Sequence, residues 1–327
     1  MDFATLPQPV ETDVESRVDP LVVVHGGAGT IDRASMTDAK RDEVVAALHA
    51  AAKLAWDHAA RGGRALDAAQ LAVMSMEAAP VFNAGVGAVF RSDGTHRHDA
   101  SIVDGATRAY GAVTQITTTL FPIAAARWAF EHRRDRAGLF LAGADADALA
   151  NDCGVPQVDN AAFATPHRRE QWERARAAGS VHLDHDGKLG TVGAVVRDRS
   201  GRLAAATSTG GMTNAEPARI GDSAIVGAGT WADARCAISC TGEGETLLAH
   251  AVAARVAARV EAGDALEVAA GAVLDALPAG TGGLIAVSAD GVLIDPRNTG
   301  GMYRARVDGQ GRCVVAIYDD EIPLGAA

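Results

Sequence analysis

The stretch from Gly187 to Asp198, GKLGTVGAVVRD, joins a polar segment that contains glycine to a run of alternating, β-branched residues. The alternation predicts a strand from Val192 to Arg197. Thr191 stands at the junction and has two interpretations. It is either the first residue of the strand, because β-branched residues favour strands, or the nucleophile of an enzyme.

A nucleophilic role depends on a base, because a threonine hydroxyl attacks poorly until its proton is removed. Neither neighbour of Thr191 in the sequence is a histidine or a lysine. If the bond between Gly190 and Thr191 is cut, the new α-amino group has a pKa of ~7.7–8.0 and can serve as the base. Gly190 suits such a cut, since a residue without a Cβ atom can hold the strained conformation that presents its carbonyl to the hydroxyl.

The composition limits the class of protein. The 327 residues are 48% hydrophobic, which supplies a substantial core for one large domain or two ordinary ones. The net charge of -11 would repel phosphate backbones and anionic lipid, so we expect neither nucleic acid nor membrane as a partner. The apolar runs are too short to span a bilayer, and the acidic first residues carry no secretory signal. We therefore expect a cytoplasmic protein with a flexible leader over residues 1–18.

Two sets of residues raise the question of a transition-metal site. The four cysteines lack C-x-x-C spacing, so we expect reduced, partly buried thiols and no zinc site: Cys153, Cys236, Cys240 and Cys313. The second set is acidic and bears two histidines that would share one face of a strand: Asp93, His96, His98, Asp99 and Asp104. Polar residues at the exposed edge of a hairpin explain the same pattern, and we favour that explanation over a metal site.

Hydrophobic periodicity and turn residues predict the order helices, strands, linker, strands, helices, strands. Helices are expected around residues 44–55 and 66–76 and over 122–131, 144–151, 168–177, 245–261 and 265–277. Strands are expected over residues 21–24, 86–90, 100–103, 110–116, 192–197, 203–208, 224–227, 236–241, 284–287, 292–294 and 314–318. The short loop between 192–197 and 203–208 predicts an antiparallel hairpin. The order favours antiparallel sheets covered by helices over a βαβ repeat, with a linker at about 152–190.

Two short motifs suggest other chemistry. The glycine loop at residues 25–29, HGGAG, could cradle a phosphate or offer backbone N–H groups to an oxyanion. We favour a tight glycine turn that packs a strand against a helix. Residues 206–210, ATSTG, are an imperfect G-x-S-x-G elbow in which Ser208 would be the nucleophile of an α/β-hydrolase. An elbow leads from a strand into a helix, whereas Pro217 follows too closely. A serine esterase that uses Ser208 remains an alternative, beside a binding protein without catalysis that stays uncut.

Nine motifs, taken together and in order, resemble one family. They are HGGAG (25–29), FNAGVGAVF (82–90), DASIVDG (99–105), GTVGAV (190–195), AAATSTGGMTN (204–214), ARIGDS (218–223), GAGTWA (227–232), SCTGEGE (239–245) and NTGGMYR (298–304). From Leu21 to about Tyr318 the chain resembles the plant-type L-asparaginase and isoaspartyl peptidase family of N-terminal nucleophile hydrolases. The resemblance implies an α+β fold, a four-layer αββα sandwich with two antiparallel sheets between helix layers.

The resemblance also implies how the chain is processed and how it acts. An autocatalytic cut before Thr191 would give an α subunit of residues 1–190 and a β subunit of residues 191–327, and two such pairs would associate as (αβ)2. Thr191 would be the nucleophile and, through its own amine, the base. Thr209 would tune the nucleophile and Asn83 would orient its backbone. Thr241 and Gly242 would stabilise the oxyanion of the tetrahedral intermediate.

For the substrate, the resemblance implies a clamp of Arg219, Asp222 and Gly244. Arginine offers a fork of donors to an α-carboxylate, and a carboxylate suits an α-ammonium. A surface salt bridge is the alternative interpretation of the two charges. The implied substrates are L-asparagine and β-aspartyl dipeptides, and the sequence does not rank them because the clamp holds what they share. No redox or organic cofactor is expected.

The loop before and around Asn83 corresponds, in that family, to a segment that holds a structural sodium ion by main-chain oxygens, which suit a hard cation. The corresponding residues are Met76, Glu77, Ala79, Phe82, Ala84 and Val86. Four positions depart from the family pattern. Ala215 and Ala218 stand where lysine and glycine are common, and Arg297 and Gly300 stand where phenylalanine and glutamate are usual. They bear on substrate preference more than on activity.

Overall fold

The structure is a computed structural model of the single chain and describes residues 18–181 and 190–326. Apart from Val18, the predicted leader lies outside the described residues, and so does the part of the predicted linker at 182–189. The described part of the linker contains a 3₁₀ turn, Asn160–Phe163, and a helix.

The helices are α1 Asp38–Ala60, α2 Ala65–Glu77, α3 Pro122–Glu131, α4 Gly143–Asp152, α5 Pro166–Ala177, α6 Gly244–Ala249, α7 Val252–Glu261 and α8 Leu266–Asp275. The strands are β1 Leu21–Gly29, β2 His98–Asp104, β3 Tyr110–Ile116, β4 Gly138–Ala142, β5 Val192–Arg197, β6 Leu203–Thr209, β7 Thr230–Ala232, β8 Cys236–Gly242, β9 Gly282–Ser288, β10 Leu293–Ile294, β11 Gly301–Val307, β12 Arg312–Ala316 and β13 Glu321–Ala326.

Two sheets form the centre of the fold. The larger has nine strands in the order β13-β12-β11-β1-β5-β6-β2-β3-β4, and the smaller has four in the order β10-β9-β8-β7. All pairs are antiparallel except β3 and β4, which run parallel at one edge. The predicted hairpin of β5 and β6 is confirmed.

Helices cover the outer face of each sheet. Helices α1, α2 and α3 pack on the larger sheet, whereas α7 and α8 pack on the smaller one. Three apolar clusters result: one under each helix layer and one between the sheets. The fold is therefore the expected four-layer αββα sandwich.

The sequence explains the helices locally. Thr37 caps α1, because its side chain accepts a hydrogen bond from the backbone N of Lys40. Residues at helical spacing, such as Val44, Leu48 and Ala55, form the buried face of α1. Proline at the first position pre-organises α3 and α5.

Several expected elements differ from the structure. Residues 86–90 and 224–227 are turns and irregular chain, not strands. The expected helix over 245–261 is two helices, α6 and α7, because Ala251 takes a left-handed conformation with φ 45°. The expected glycine loop at 25–29 belongs to β1, which continues through it with a bulge after His25. Strands β4, β7, β11 and β13 were not expected.

The exposed-edge explanation is wrong for three of the five residues in the histidine-bearing set, since only Asp93 is exposed and Asp104 is half-buried. His96, His98 and Asp99 are buried, where His96 packs on Phe90 and His98 on Phe163. Within the described residues, no group of three His, Cys, Asp or Glu side chains is placed to hold a metal ion. Each cysteine is a free thiol, three of them buried and Cys153 exposed.

Candidate active site

Thr191 is buried and directly precedes β5. In the hairpin, Val192 pairs with Ser208, which places Thr191 beside Thr209 at the end of β6. The hydroxyl of Thr191 donates a hydrogen bond of 3.2 Å to Thr209 Oγ1. Thr209 Oγ1 also accepts a bond of 3.0 Å from the backbone N of Gly211. The candidate nucleophile therefore has a hydroxyl partner that the backbone itself holds in place.

His25, in β1, holds the backbone of Thr191. Its Nδ1 lies 3.0 Å from the carbonyl oxygen of Thr191, and its Nε2 lies 2.8 Å from Ser239 Oγ. A carbonyl only accepts, so Nδ1 carries the proton and Nε2 accepts from the hydroxyl of Ser239. Burial lowers the pKa of His25 to about 3, against the opposing effect of the bond to Thr191. The imidazole is therefore neutral at pH 7.

Ser239 begins a chain of buried hydroxyl groups between the two sheets. Its Oγ lies 2.8 Å from Thr207 Oγ1, which in turn accepts from the hydroxyl of Thr230 at 2.6 Å. Ser101 Oγ lies 2.9 Å from Thr230 Oγ1 and 2.6 Å from the carbonyl oxygen of Ser223. Because each hydroxyl has one proton to donate, the neutral imidazole at one end helps to orient the chain.

The candidate scissile bond follows Gly190, whose backbone lies against that of Gly27. A Cβ atom on Gly27, at φ +115°, would overlap the N and Cα atoms of Gly190. Thr241 Oγ1 lies 3.3 Å from where a Cβ of Gly190 would be, and it accepts a bond of 3.3 Å from the backbone N of Ala28. Gly242 follows Thr241 at the end of β8. The structure thus brings Thr241, one of the two expected oxyanion residues, close to the candidate scissile bond.

Asn83 holds the loop that follows Thr209. Its Nδ2 donates to the carbonyl oxygen of Gly211 at 2.8 Å, and its Oδ1 accepts from the backbone N of Val89 at 3.0 Å. Its own carbonyl oxygen accepts from the backbone N of Gly210 at 2.9 Å. Among the described residues Asn83 bonds to this loop and not to the backbone of the nucleophile, so it can orient the nucleophile only through Thr209.

The three residues of the expected clamp meet in space. A Cβ atom on Gly244 would lie 2.6 Å from Arg219 Nη2 and 3.1 Å from Asp222 Oδ1. The ion pair of Arg219 is not with Asp222 but with Glu245, which accepts from Nε and Nη2 at 2.8 and 2.9 Å. This bidentate pair fixes the guanidinium plane and leaves the Nη1 end for another acceptor.

Asp222 is 4% exposed, and burial raises the pKa of its carboxyl from 3.8 to about 7, against the opposing charge of Arg219. Its Oδ2 has no hydrogen-bond partner in the described part of the chain. A buried carboxylate with an unused oxygen is an arrangement that a cationic ligand completes. For Arg219, burial lowers the pKa, but the bond and charge of Glu245 outweigh it and raise the pKa.

The loop that follows α2 presents main-chain oxygens. Among the described residues, three of these oxygens accept no hydrogen bond: those of Phe82, Ala84 and Val86. Three others accept hydrogen bonds from inside the loop, two at Met76 and one each at Glu77 and Ala79. Carbonyl oxygens with free lone pairs are the ligands that a hard cation prefers, so the donor set fits an alkali-metal ion.

Ser208 does not have the surroundings of a nucleophile elbow. It is fully buried in the layer between α2 and the larger sheet, where its hydroxyl donates to Glu77 Oε1 at 2.6 Å. Strand β6 ends one residue later and leads into a loop, not a helix. The alternative nucleophile of a serine esterase is therefore wrong.

The four departures from the family pattern lie in different surroundings. Ala215 is buried and its carbonyl oxygen accepts from the backbone N of Ser92 at 2.9 Å, whereas Ala218 and Gly300 are exposed. Arg297 Nη2 bonds to Asp319 Oδ1 at 2.6 Å.

A four-layer αββα sandwich in which a threonine with hydroxyl and imidazole partners directly precedes the central strand defines an N-terminal nucleophile hydrolase. The chain belongs to the asparaginase family, whose model matches residues 18–317. It is 44% identical to the isoaspartyl peptidase of Salmonella typhimurium over 87% of this chain and 94% of that protein. It is 42% identical to the isoaspartyl peptidase of Escherichia coli over 87% and 92% of the two chains. It is 35% identical to a probable isoaspartyl peptidase/L-asparaginase of Arabidopsis thaliana over 91% and 98%.

Two further residues of the site, His25 and Glu245, were not predicted from the sequence. His25 lies in a motif that was interpreted through its glycines, and its contact with Thr191 spans 166 positions. Glu245 lies in SCTGEGE, but nothing in that motif predicts that it pairs with Arg219 across 26 positions. In both cases the motif indicated that the residue lies near the site, but it did not indicate which residue it bonds to.

Proposed function

We propose that this chain is an amidohydrolase that cuts itself before Thr191 and then hydrolyses the side-chain amide of L-asparagine and the isopeptide bond of β-aspartyl dipeptides. The observation that carries the proposal is the placement of Thr191, with its hydroxyl 3.2 Å from Thr209 Oγ1 and the preceding Gly190 against Gly27. The names of the relatives, isoaspartyl peptidase and L-asparaginase, support the substrate class.

In the self-cleavage step, Thr191 Oγ1 attacks the carbonyl carbon of Gly190 and the peptide C–N bond breaks. The acyl group passes from nitrogen to oxygen, and the nitrogen gains the proton that the hydroxyl loses. Water then hydrolyses the ester, which leaves a carboxylate on Gly190 and a free amine on Thr191. His25 keeps the carbonyl end of Thr191 in place during this change.

In the substrate reaction, the amine of Thr191 takes the proton of its own hydroxyl, and Oγ1 attacks the side-chain carbonyl of the substrate. The hydroxyl of Thr241 and the backbone N–H of Gly242 donate to the oxyanion that forms. The amine then gives its proton to the leaving group, which departs as ammonia or an amino acid. Water attacks the acyl-enzyme through the same base and releases aspartate.

The clamp binds the other end of the aspartyl group. The Nη1 end of Arg219, free because Glu245 holds the opposite edge, takes the α-carboxylate. The unused Oδ2 of Asp222 takes the α-ammonium. A side chain on Gly244 would crowd Arg219 Nη2 and Asp222 Oδ1, so glycine at this position keeps space for a ligand that contacts both residues.

The proposal includes a structural sodium ion held by the main-chain oxygens of the loop at 76–86, with no part in the bond-breaking steps. The three oxygens that accept no hydrogen bond within the described residues support it. The melting temperature should be higher in sodium chloride than in choline chloride of equal ionic strength. Equal melting temperatures in the two salts would contradict a sodium site.

The proposal also includes a cytoplasmic location and an (αβ)2 assembly, each supported by the family resemblance. Three buried, free cysteines suit a reducing compartment. Within the described residues, no helix combines the length and the apolar character needed to cross a membrane. Native mass spectrometry of the purified protein should give the mass of two αβ pairs, and the mass of one pair would contradict this assembly.

The test of the proposed function compares wild type with Thr191→Ala and Ser208→Ala. On a denaturing gel, wild type and Ser208→Ala should each give two fragments that break between Gly190 and Thr191, and both should release aspartate from L-asparagine. Thr191→Ala should give one band and no aspartate. Activity that survives in Thr191→Ala would contradict the mechanism, and a single wild-type band without hydrolysis would favour the binding protein.

A further inference from the structure

Arg91 is a fully buried cation that makes no hydrogen bond through any of its three guanidinium nitrogens to a residue in 18–181 or 190–326. Arg168 is also fully buried, but it donates hydrogen bonds to the carbonyl oxygen of Gly87 at 2.7 Å and to Gln171 Oε1 at 2.9 Å. A buried charge is costly unless it is paired, so the surroundings of Arg91 favour an anion that the described residues do not supply.

The guanidinium lies against the loop that carries the partner of the nucleophile. A Cβ atom on Gly211 would be 2.6 Å from Arg91 Nη2 and 2.9 Å from its Nη1. The backbone N of Gly211 donates to Thr209 Oγ1, which accepts from the hydroxyl of Thr191. Thr213, further along this loop, has a buried hydroxyl that likewise has no partner among the described residues. The unpaired cation is therefore separated from the nucleophile by one loop.

The charges around Arg91 do not satisfy it. Burial is the largest influence and lowers the pKa of Arg91, and the charge of Arg219 lowers it further, while the charge of Asp99 opposes the shift. Asp99 is already engaged, because its Oδ1 accepts from the hydroxyl of Thr114 at 2.6 Å and from the backbone N of Gln115 at 3.1 Å. Arg91 and Arg219 thus place two positive charges near each other, and only Arg219 has a bonded carboxylate.

The two substrate types differ by one negative charge. The clamp takes the α-carboxylate and α-ammonium that both carry, whereas a β-aspartyl dipeptide has a second carboxylate on its leaving amino acid. We propose that in the cut enzyme Arg91 binds this second carboxylate, so that it favours dipeptides with a free C-terminus over L-asparagine. The inference rests on the proposed function and adds the residue that recognises the leaving group.

The test uses processed wild-type enzyme, Arg91→Met and Arg91→Lys, with three substrates: β-aspartyl-leucine, its C-terminal amide, and L-asparagine. In Arg91→Met, kcat/KM for the free dipeptide should fall about tenfold or more, the loss expected for a charge-assisted bond. For the amide and for L-asparagine it should change less than about twofold. Arg91→Lys should recover part of the loss, since it restores the charge without the fork.

Two controls separate recognition from folding. Arg169→Met removes an exposed arginine that lies over the ring of Phe90, one residue from Arg91, and should leave all three activities unchanged. The melting temperature of Arg91→Met should equal or exceed that of wild type, because the substitution removes an unpaired buried charge. A lower melting temperature with equal losses on all three substrates would make Arg91 a structural residue and overturn the inference.

An inorganic anion, and not the carboxylate of a substrate, is the alternative ligand for Arg91. If chloride raises the melting temperature of wild type but not of Arg91→Met, while the substitution leaves the ratio of dipeptide to asparagine turnover unchanged, the site takes an inorganic anion and the inference is overturned. If wild type hydrolyses none of the three substrates, the proposed function itself is contradicted. This outcome differs from failure of the Arg91 inference because it is observed in wild type, without any substitution of Arg91.

Discussion

His25 Nδ1 lies 3.0 Å from the carbonyl oxygen of Thr191, although 166 positions separate the two residues in the chain. The contact joins β1 to the first residue before β5, and these strands pair in the larger sheet. Ser239 occupies the other nitrogen of the ring. A neutral imidazole therefore ties the candidate nucleophile to the hydroxyl groups between the sheets.

His25→Ala should slow both the cut before Thr191 and the turnover of substrate. The variant removes the donor to the carbonyl of Thr191 and leaves the hydroxyl of Ser239 with Thr207 alone. The expected cost is about 1–3 kcal/mol, which is about fivefold to 150-fold in rate. The fraction cut over time on a denaturing gel and kcat for L-asparagine measure the two effects. His132→Ala is the matched control, because His132 is exposed and bonds only within its own helix end. Processing of His25→Ala at the wild-type rate would contradict a positioning role.

Gly27→Ala should prevent the cut. The added methyl would overlap the backbone of Gly190, and φ +115° already disfavours a side chain. Gly62→Ala is a control with the same kind of backbone strain, since Gly62 has φ +91° but open space around a Cβ atom. Intact-mass measurement should find Gly27→Ala uncut and Gly62→Ala cut. If both variants are cut to the same extent, close contact at Gly27 is not what positions the scissile bond.

Asp222→Asn should lower activity and raise stability at alkaline pH. The pKa of Asp222 is raised from 3.8 to about 7, so the native state holds this proton more tightly than the unfolded chain does. Its contribution to stability is complete below pH 3.8 and is lost as the pH rises through 7, with a slope of at most about 1.4 kcal/mol per pH unit. The melting temperature of the variant should therefore exceed that of wild type at pH 8 more than at pH 4.

The same substitution should reduce kcat/KM for L-asparagine about tenfold to a hundredfold, because a neutral amide cannot pair with the α-ammonium. In wild type, kcat/KM should fall as the pH drops below 7, since Asp222 then takes up a proton. Melting curves of wild type and Asp222→Asn that stay parallel from pH 4 to pH 8 would show that the pKa is not raised.

Gly244→Ala should weaken substrate binding. The methyl would lie 2.6 Å from Arg219 Nη2 and 3.1 Å from Asp222 Oδ1, so it would occupy the space between the two charges. KM for L-asparagine should rise about tenfold, with less effect on the self-cleavage that precedes binding. Gly271→Ala, in α8 where nothing lies near a Cβ atom, is the control and should leave KM unchanged. An unchanged KM in Gly244→Ala would remove this residue from the clamp.

Elements with a local signal could be predicted from the sequence. Expected and observed bounds coincide for α3 and β3, where helical spacing after Pro122 and alternation after Tyr110 are uninterrupted. Strand β11 was missed because Arg304 and Arg306 resemble surface residues. In the structure Arg304 is buried, pairs with Asp295 at 3.2 Å and donates to the carbonyl oxygen of Met302. The tertiary fold brings these partners to Arg304, and the hydrophobic periodicity of the sequence cannot predict such contacts.

The same division applies to the site. Thr191 and Thr209 could be placed together because a short hairpin connects their strands. The bonds of His25 to Thr191 and of Arg219 to Glu245 join distant parts of the chain. The burial of Arg91, without a hydrogen-bond partner for its guanidinium among the described residues, likewise comes from the tertiary fold. These features are set by packing, so residue types and spacing alone could not predict them.

The order of strands in the larger sheet has a consequence for the two pieces that a cut at Gly190 would make. Strand β1 from the first piece lies between β11 and β5 of the second, and β6 of the second pairs with β2 of the first. The smaller sheet belongs wholly to the second piece, but neither piece contains all strands of the larger sheet, so the larger sheet forms only when both are present. After denaturation of the cut protein, the two pieces would have to meet in solution before the larger sheet could form. The yield of refolded cut protein would therefore depend on its concentration, whereas refolding of the uncut chain would not.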